Sequence, residues 1–183
     1  SHTSINENHA PWWPALIALL ITAICFSTSL DNQFVNWDDD RNVYENPHVA
    51  HLTIKNIKAI FTSDVIGNYN PLPILSFAIE NHFFGMDPKV MHFTNILLHL
   101  ICTILVFLIF KRLKLSINVA FIGALLFALH PLKVESVAWI TERKDVLFGC
   151  FFLGALLLYI KNLDQYSKSR SVWIFVLFII GLF

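Results

Sequence analysis

Charged residues are absent from five long stretches of this chain, and their spacing constrains the fold more than any other feature. The uncharged stretches are residues 12–30, 93–110, 115–132, 146–160 and 171–183. A bilayer core about 30 Å thick needs about 20 helical residues, and a charge at its centre costs at least about 2.5 kcal/mol. The pattern therefore predicts an all-α polytopic membrane protein, with four complete transmembrane helices and part of a fifth.

The composition agrees with a membrane protein and disfavours other classes. Charged residues make up 14% of the 183 residues, whereas soluble domains contain about 25%. The net charge is zero, and a nucleic-acid-binding protein would present a basic surface. The alternative, a very apolar soluble core, would leave too few polar faces for five such stretches. We therefore expect contact with membrane lipid and none with nucleic acid.

The distribution of charge predicts the orientation in the membrane. Residues 1–11 contain no Lys or Arg, so residues 12–30 predict a membrane helix rather than a signal peptide. The short connections 111–116 and 161–170 carry six basic residues, whereas the loop 31–92 carries eight acidic residues and four basic ones. By the positive-inside rule the short connections and the N-terminus are cytoplasmic. The outer loops 31–92 and 133–145 then face the periplasm, or a lumen in a eukaryote.

The first outer loop contains three consecutive carboxylates, Asp38, Asp39 and Asp40, close to the end of the first membrane helix. Neighbouring like charges disfavour full ionisation, so the cluster suits a general base or a cation site. The alternative is a solvated acidic loop that only caps local structure. Trp37 beside the cluster suits a membrane-interface anchor, the commoner role, and the alternative is stacking on a sugar ring.

Two short helices are predicted farther along this loop, one capped by Thr53 and one that starts at Pro71 after Asn70. The second outer loop is densely charged, and Pro131 should end the third membrane helix. Helical spacing of Glu135, Ala138, Trp139 and Glu142 predicts a short helix in the second loop.

The fourth membrane stretch has only 15 uncharged residues, which is too short for the bilayer core. Either the bilayer thins locally, or Arg143, Lys144 and Asp145 sit at the membrane edge inside the protein. His130 lies near the charged loop and is a candidate site residue. His92 and His99 are more typical of packing residues, and the three cysteines lie in apolar stretches without metal-binding spacing.

Six ordered motifs carry a resemblance to a known family. They are FVNWDD at 34–39, NP at 46–47, NPL at 70–72, HFTNILLH at 92–99, FALHP at 127–131 with ESVAW at 135–139, and ERKD at 142–145. The chain resembles the transmembrane and tetratricopeptide-repeat O-mannosyltransferases and their bacterial relatives, which are similar to glycosyltransferases of the GT-C type. The resemblance covers about residues 12–160.

The resemblance implies a function and a set of site residues. It implies transfer of a sugar from a polyprenyl-phosphate-linked donor to a hydroxyl acceptor, expected to be a protein, on the outer face of the membrane. It places the catalytic acidic pair at Asp38 and Asp39 and the donor-phosphate site at Arg143 and Lys144. The supporting candidates are His130, Glu135 and Asp145, together with Asp40, an additional acid that the family's pattern does not need. No cofactor is certain, and a divalent cation held by Asp38 and Asp39 is a candidate.

The motifs also imply a location and an extent. They favour the bacterial form of the family and therefore the bacterial inner membrane. No 34-residue repeat is present in these residues, so the family's repeat domain and later helices are expected outside this N-terminal portion, which is not expected to be active by itself. The alternative functions are a segment of a transporter or flippase and a non-catalytic membrane scaffold.

Overall fold

A computed structural model describes residues 12–183, so the expected cytoplasmic leader, residues 1–11, lies outside the described residues. The described part consists of helices joined by loops, and its only β-type pairing is an isolated bridge between Val65 and Asn68. Its α-helices are α1 Trp13–Phe26, α2 Ile54–Ile60, α3 Pro71–Phe84, α4 Pro88–Arg112, α5 Ile117–Leu129, α6 Lys133–Ala138, α7 Arg143–Asp164 and α8 Lys168–Gly181. A 3₁₀ turn, Ser27–Asp31, extends α1, and a π-helical turn occupies Asp40–Tyr44.

Three helical segments are long and apolar enough to cross a membrane. They are Trp13–Asp31, Pro88–Arg112 and Arg143–Asp164. Ile117–Leu129 is apolar but shorter. These segments confirm the prediction of an all-α membrane protein.

Several helix ends follow from local sequence. The Thr53 hydroxyl accepts a hydrogen bond from the Asn56 amide at the start of α2, as predicted. Helix α5 ends at Leu129 and His130 is extended, because the residue before a proline avoids the helical region. Helix α6 ends at Ala138, so the predicted continuation through Trp139 is wrong. Trp139 instead leaves the helix and hydrogen-bonds to the first loop.

Two membrane helices begin earlier than the uncharged stretches. Helix α4 starts at Pro88, where the Asp87 carboxylate accepts from the Lys89 amide at 2.9 Å. Helix α7 starts at Arg143 and has 22 residues, which span about 33 Å at the standard rise of 1.5 Å per residue. Arg143 is fully buried. Of the three charged residues expected inside the protein at the membrane edge, only Arg143 is enclosed, whereas Lys144 is half-buried and Asp145 is exposed.

Helices α4 and α7 run parallel, side by side. Arg143 at the start of α7 contacts Asn95 in α4, the Sγ atoms of Cys150 and Cys102 lie 3.4 Å apart, and Arg112 pairs with Asp164 at 3.0 Å. The sequence separation across these contacts stays near 50 residues, which fixes the register of the two helices.

The helices define two ends of the molecule. At the basic end, which holds residues 113–116 and 165–167, the Lys111 amine lies 4.9 Å from the Trp12 ring. At the other end, called the loop end here, the segments 32–87 and 130–142 meet. Helix α8 also reaches the loop end, since the Phe183 carbonyl accepts from the Leu72 amide at 3.3 Å.

The register of α4 and α7 can be tested by cysteine cross-linking. Mild oxidation with copper phenanthroline should join Cys102 to Cys150 and leave Cys25 free, as measured by peptide mass spectrometry. The variant Cys150→Ser is the control and should show no cross-link within one chain. A bond between Cys25 and either of the other cysteines would contradict the helix arrangement.

Candidate functional site

Asp39 joins the two loops at the loop end. It is 1% exposed, and its Oδ2 atom accepts from the Val35 amide at 3.0 Å. Its Oδ1 atom accepts from the Trp139 indole at 3.1 Å and from the Thr141 amide at 3.2 Å. The Thr141 hydroxyl also donates to Oδ1. Both carboxylate oxygens are therefore occupied: Oδ2 fixes the first loop locally, and Oδ1 holds the second loop against the first.

Asp38 differs from its neighbour in exposure and in bonding. It is half-buried, and no hydrogen bond reaches its carboxylate from residues 12–183. Its φ angle of 66° lies in the left-handed region, which Asp tolerates better than most residues. Its carbonyl accepts from the Asn42 amide and from the Asn42 side chain, both at 2.9 Å. The turn therefore fixes the backbone of Asp38 and leaves its carboxylate unengaged.

Asp40 serves local structure. Its Oδ1 atom accepts from the Arg41 amide at 2.8 Å at the start of the π-helical turn. Tyr44 closes that turn, and its pKa is raised, first by partial desolvation and then by the negative charges of Asp40, Glu45 and Asp39.

Arg143 is the best-connected side chain among the described residues. Its guanidinium pairs with Glu80 at 2.7 Å and donates to the Ser76 hydroxyl at 2.9 Å, both from α3. It also donates to the Asn95 side chain and to the Met91 carbonyl of α4, each at 2.8 Å. The ring of Phe77 lies 4.3 Å from the guanidinium carbon. Arg143 therefore joins the start of α7 to the first turns of α4 and to the middle of α3.

Asn95 extends this connection to the second loop. While its Oδ1 atom accepts from Arg143, its amide nitrogen donates to the Trp139 carbonyl at 3.0 Å and lies 3.4 Å from the Ile140 carbonyl. Because Trp139 also binds Asp39, the buried Arg143 cluster and the Asp39 contacts share one loop segment.

The structure separates the two residues predicted to bind the donor phosphate. Arg143 is fully buried and uses four of its five N–H donors within the protein, so a phosphate cannot reach it in this arrangement. Lys144 is 41% exposed and pairs with Glu142 at 3.0 Å. Of the predicted cations, only Lys144 is accessible.

Lys144 and Asp145 line a cavity of about 180 Å³ between α7 and α8, called the α7–α8 cavity here. Its walls are largely apolar and include Phe148, Phe151 and Leu182. The Asp145 carboxylate also accepts from the Ser136 hydroxyl at 2.9 Å, which ties α6 to α7. A basic group beside apolar side chains is an arrangement that suits a phosphate attached to a lipid.

A second cavity of about 540 Å³, called the loop cavity here, lies between the two outer loops, and residues of both loops line it. The polar side chains that line it are those of Asn32, Gln33, Asp39, His92 and Glu135. Phe34 and Trp139 supply aromatic surface. Asp39 and Glu135, two of the predicted site residues, are thus brought to one cavity.

The remaining histidines have different surroundings. His130 is exposed, its Nδ1 atom accepts from the Leu132 amide at 3.3 Å, and it lines neither cavity. His99 is buried, with its Nε2 atom 2.9 Å from the Ala128 carbonyl. His99 is therefore a packing residue.

A divalent cation does not fit the acidic pair. Both oxygens of Asp39 accept hydrogen bonds from N–H or O–H donors, which must leave before a metal can bind. Within residues 12–183 no group of three His, Cys, Asp or Glu side chains is arranged to hold a metal.

Several residues that build the site were not among the predicted ones. Glu80, Asn95 and Thr141 have few local signals, because their partners lie far away in the sequence. His92 has no hydrogen-bond partner among the described residues. Asn95 and His92 do fall inside the HFTNILLH motif, which was the available signal. Glu80 is the one acid of the mostly apolar helix α3. An acid in such a helix indicates a buried basic partner.

Sequence comparison shows which known proteins this chain is related to. Human protein O-mannosyl-transferase TMTC1 is 36% identical over 170 residues, which cover 85% of this chain and 19% of that protein. Human TMTC4 is 29% identical over 199 residues, which cover 93% of this chain and 26% of that protein. The Xenopus laevis protein tmtc2 is 36% identical over 151 residues, which cover 77% of this chain. The chain is a relative of the TMTC protein O-mannosyl-transferases.

The match extends over most of this chain but only part of each relative. The chain spans about a fifth to a quarter of the length of these TMTC proteins. No protein-family model matches the chain. No solved structure matches it either.

The role of Arg143 can be tested by stability measurements. Arg143→Met leaves Glu80 buried and unpaired, so it should lower the free energy of unfolding by about 3–5 kcal/mol. Lys144→Met, which removes an adjacent and exposed cation, should cost at most about 1 kcal/mol. Thermal unfolding of both variants in detergent micelles provides the comparison.

The double variant Arg143→Met with Glu80→Leu should recover part of the loss, because it removes both buried charges. Equal unfolding temperatures for Arg143→Met and Lys144→Met would show that Arg143 is not a structural residue.

Proposed function

We propose that this chain is part of a membrane glycosyltransferase of the GT-C type, which transfers a sugar from a polyprenyl-phosphate-linked donor to a hydroxyl of a protein. The observation that carries the proposal is the similarity of most of the chain to proteins named protein O-mannosyl-transferases. The residues found at the loop end are of the kinds that such a reaction uses.

Asp38 is our candidate for the general base. A base must have an oxygen free to take the proton of the acceptor hydroxyl. Asp38 meets this requirement, whereas the Asp39 oxygens hold Val35, Trp139 and Thr141. Asp39 is then the positioning residue, because it fixes the turn that carries Asp38.

Lys144 is our candidate for the partner of the donor phosphate. Its amine is partly exposed, and it lines a cavity whose other walls are mostly apolar, a combination that suits a phosphate on a lipid chain. Arg143 supports this site indirectly, since its contacts with Glu80 and Asn95 fix the first turn of α7.

These roles describe one inverting displacement. Asp38 accepts the proton of the acceptor hydroxyl as that oxygen forms a bond to the anomeric carbon of the sugar. The bond from the anomeric carbon to the phosphate oxygen breaks on the opposite face, and the electron pair leaves with the lipid phosphate. Lys144 stabilises the charge that develops on that phosphate.

The other predicted residues have supporting roles in this proposal. Asp40 shapes the turn after Asp38, Asp145 holds α6 through Ser136, Glu135 lines the loop cavity, and His130 follows the end of α5. The proposed location is a bacterial inner membrane, with the N-terminus in the cytoplasm and the loop end in the periplasm.

Single carboxylate-to-amide changes in the full-length protein separate the roles of the two aspartates. Asp38→Asn should lower kcat by about 10²–10⁴, the usual contribution of a general base, with an unchanged unfolding temperature. Asp39→Asn should lower the free energy of unfolding by about 1–3 kcal/mol, because buried donors lose their acceptor. Transfer from a polyprenyl-phosphate sugar to a peptide, together with thermal unfolding, measures both effects.

Asp31→Asn is the matched control, since Asp31 is an exposed carboxylate at the start of the same loop. It should change neither transfer nor stability. The assignment fails if Asp38→Asn keeps full transfer activity. The roles are reversed if Asp39→Asn abolishes transfer without any loss of stability.

A further inference from the structure

The basic end of the molecule carries positive charge that the described part of the chain does not neutralise. Residues 111–118 and 161–173 contain six basic residues and one acid, Asp164. That acid pairs with Arg112 at 3.0 Å. The other five cations are called the basic patch here, and they are Lys111, Lys114, Lys161, Lys168 and Arg170. None of the five forms an ion pair within residues 12–183.

The fold gathers these cations at two neighbouring turns. The pair between Arg112 and Asp164 joins the last turns of α4 and α7. The connections 113–116 and 165–167 then lead from those two ends into α5 and α8. The Arg170 guanidinium reaches back to the Lys161 carbonyl at 3.0 Å, which holds the start of α8 against the end of α7. The basic patch is therefore one surface, built by adjacent helix ends.

Large apolar side chains are exposed among the cations of the basic patch. They are Leu113, Leu115, Leu163, Tyr166 and Trp173. The exposed ring of Trp12 lies at the same end, 4.9 Å from the Lys111 amine. Tyr and Trp rings are typical of the membrane interface, and a mixture of Lys, Arg and apolar residues is typical of surfaces that lie at the boundary between lipid headgroups and acyl chains.

We propose that the basic patch binds the phosphate headgroups of anionic phospholipids. A membrane surface presents negative phosphates beside apolar chains, and juxtamembrane clusters of about four to eight Lys or Arg residues bind such surfaces. The exposed lysines contact the phosphates, while the leucines and aromatic rings contact the upper acyl chains. A soluble acidic protein would match the cations and leave the leucines exposed to water. The inference does not depend on the proposed transferase activity, because the basic patch lies at the opposite end from Asp38 and Lys144.

The test measures binding of dioleoylphosphatidylglycerol to the full-length protein in detergent micelles by native mass spectrometry. A triple variant with Lys114→Gln, Lys161→Gln and Lys168→Gln removes three exposed cations. It should weaken binding by about 100-fold, since each cation near a lipid surface contributes about fivefold. Arginine at the same three positions keeps the charges and should retain most of the binding.

The matched control removes three exposed lysines at the loop end, with Lys55→Gln, Lys58→Gln and Lys89→Gln. Because these lysines are farther from the basic patch than the screening length of about 10 Å, the control should change binding by less than about threefold. Thermal unfolding of each variant in dioleoylphosphatidylcholine nanodiscs should match the wild type, since exposed lysines without ion pairs contribute little to stability.

Three competitors identify the ligand. Zwitterionic dioleoylphosphatidylcholine should bind at least about tenfold more weakly than dioleoylphosphatidylglycerol, and inorganic phosphate should not displace the anionic lipid. The inference is overturned if the two lipids bind equally well, if the two glutamine variants lose binding equally, or if free phosphate displaces the lipid. A soluble polyglutamate peptide that binds more tightly than the lipid would also overturn it, because the partner would then be an acidic protein.

Discussion

The buried ion pair between Arg143 and Glu80 is the interaction on which the loop end depends. A guanidinium without exposure to solvent requires a carboxylate and nearly complete hydrogen bonding, and residues of α3 and α4 provide both. The pair brings the start of α7 against the middle of α3 and the first turns of α4. The Asn95 side chain also donates a hydrogen bond to the carbonyl of Trp139, and this contact holds the second loop in place. A short helix of the first loop is thereby held in place by a residue 63 positions later.

This arrangement divides the charged residues of the loop end into two groups. Arg143 and Asp39 are buried and saturated with hydrogen bonds, and they determine where the loops lie. Asp38 and Lys144 are more exposed, with fewer contacts, and so are available for chemistry. In the proposed enzyme a rigid, buried set of charges orients an adjacent, reactive set. The same division explains why adjacent residues of one motif, such as Asp38 and Asp39, have different roles.

The sequence predicts the helical membrane segments well, because a charge inside a bilayer is costly wherever it occurs. It also predicts local features such as the Thr53 cap and the end of α5 before Pro131. The start of α7 could not be predicted by the same reasoning. Arg143 counts as a charge in the sequence, and Glu80, which neutralises it, lies in a distant helix. The surroundings of His92 could not be predicted either, since only the structure shows that its nitrogens have no hydrogen-bond partner among residues 12–183.

The most direct measurement is a cryo-electron-microscopy structure of the full-length protein with a bound polyprenyl phosphate. We expect the phosphate to lie within hydrogen-bonding distance of the Lys144 amine and the lipid to occupy the α7–α8 cavity. Arg143 should remain paired with Glu80. A structure in which Arg143 has left Glu80 and contacts the phosphate would contradict the central claim that Arg143 is a structural residue.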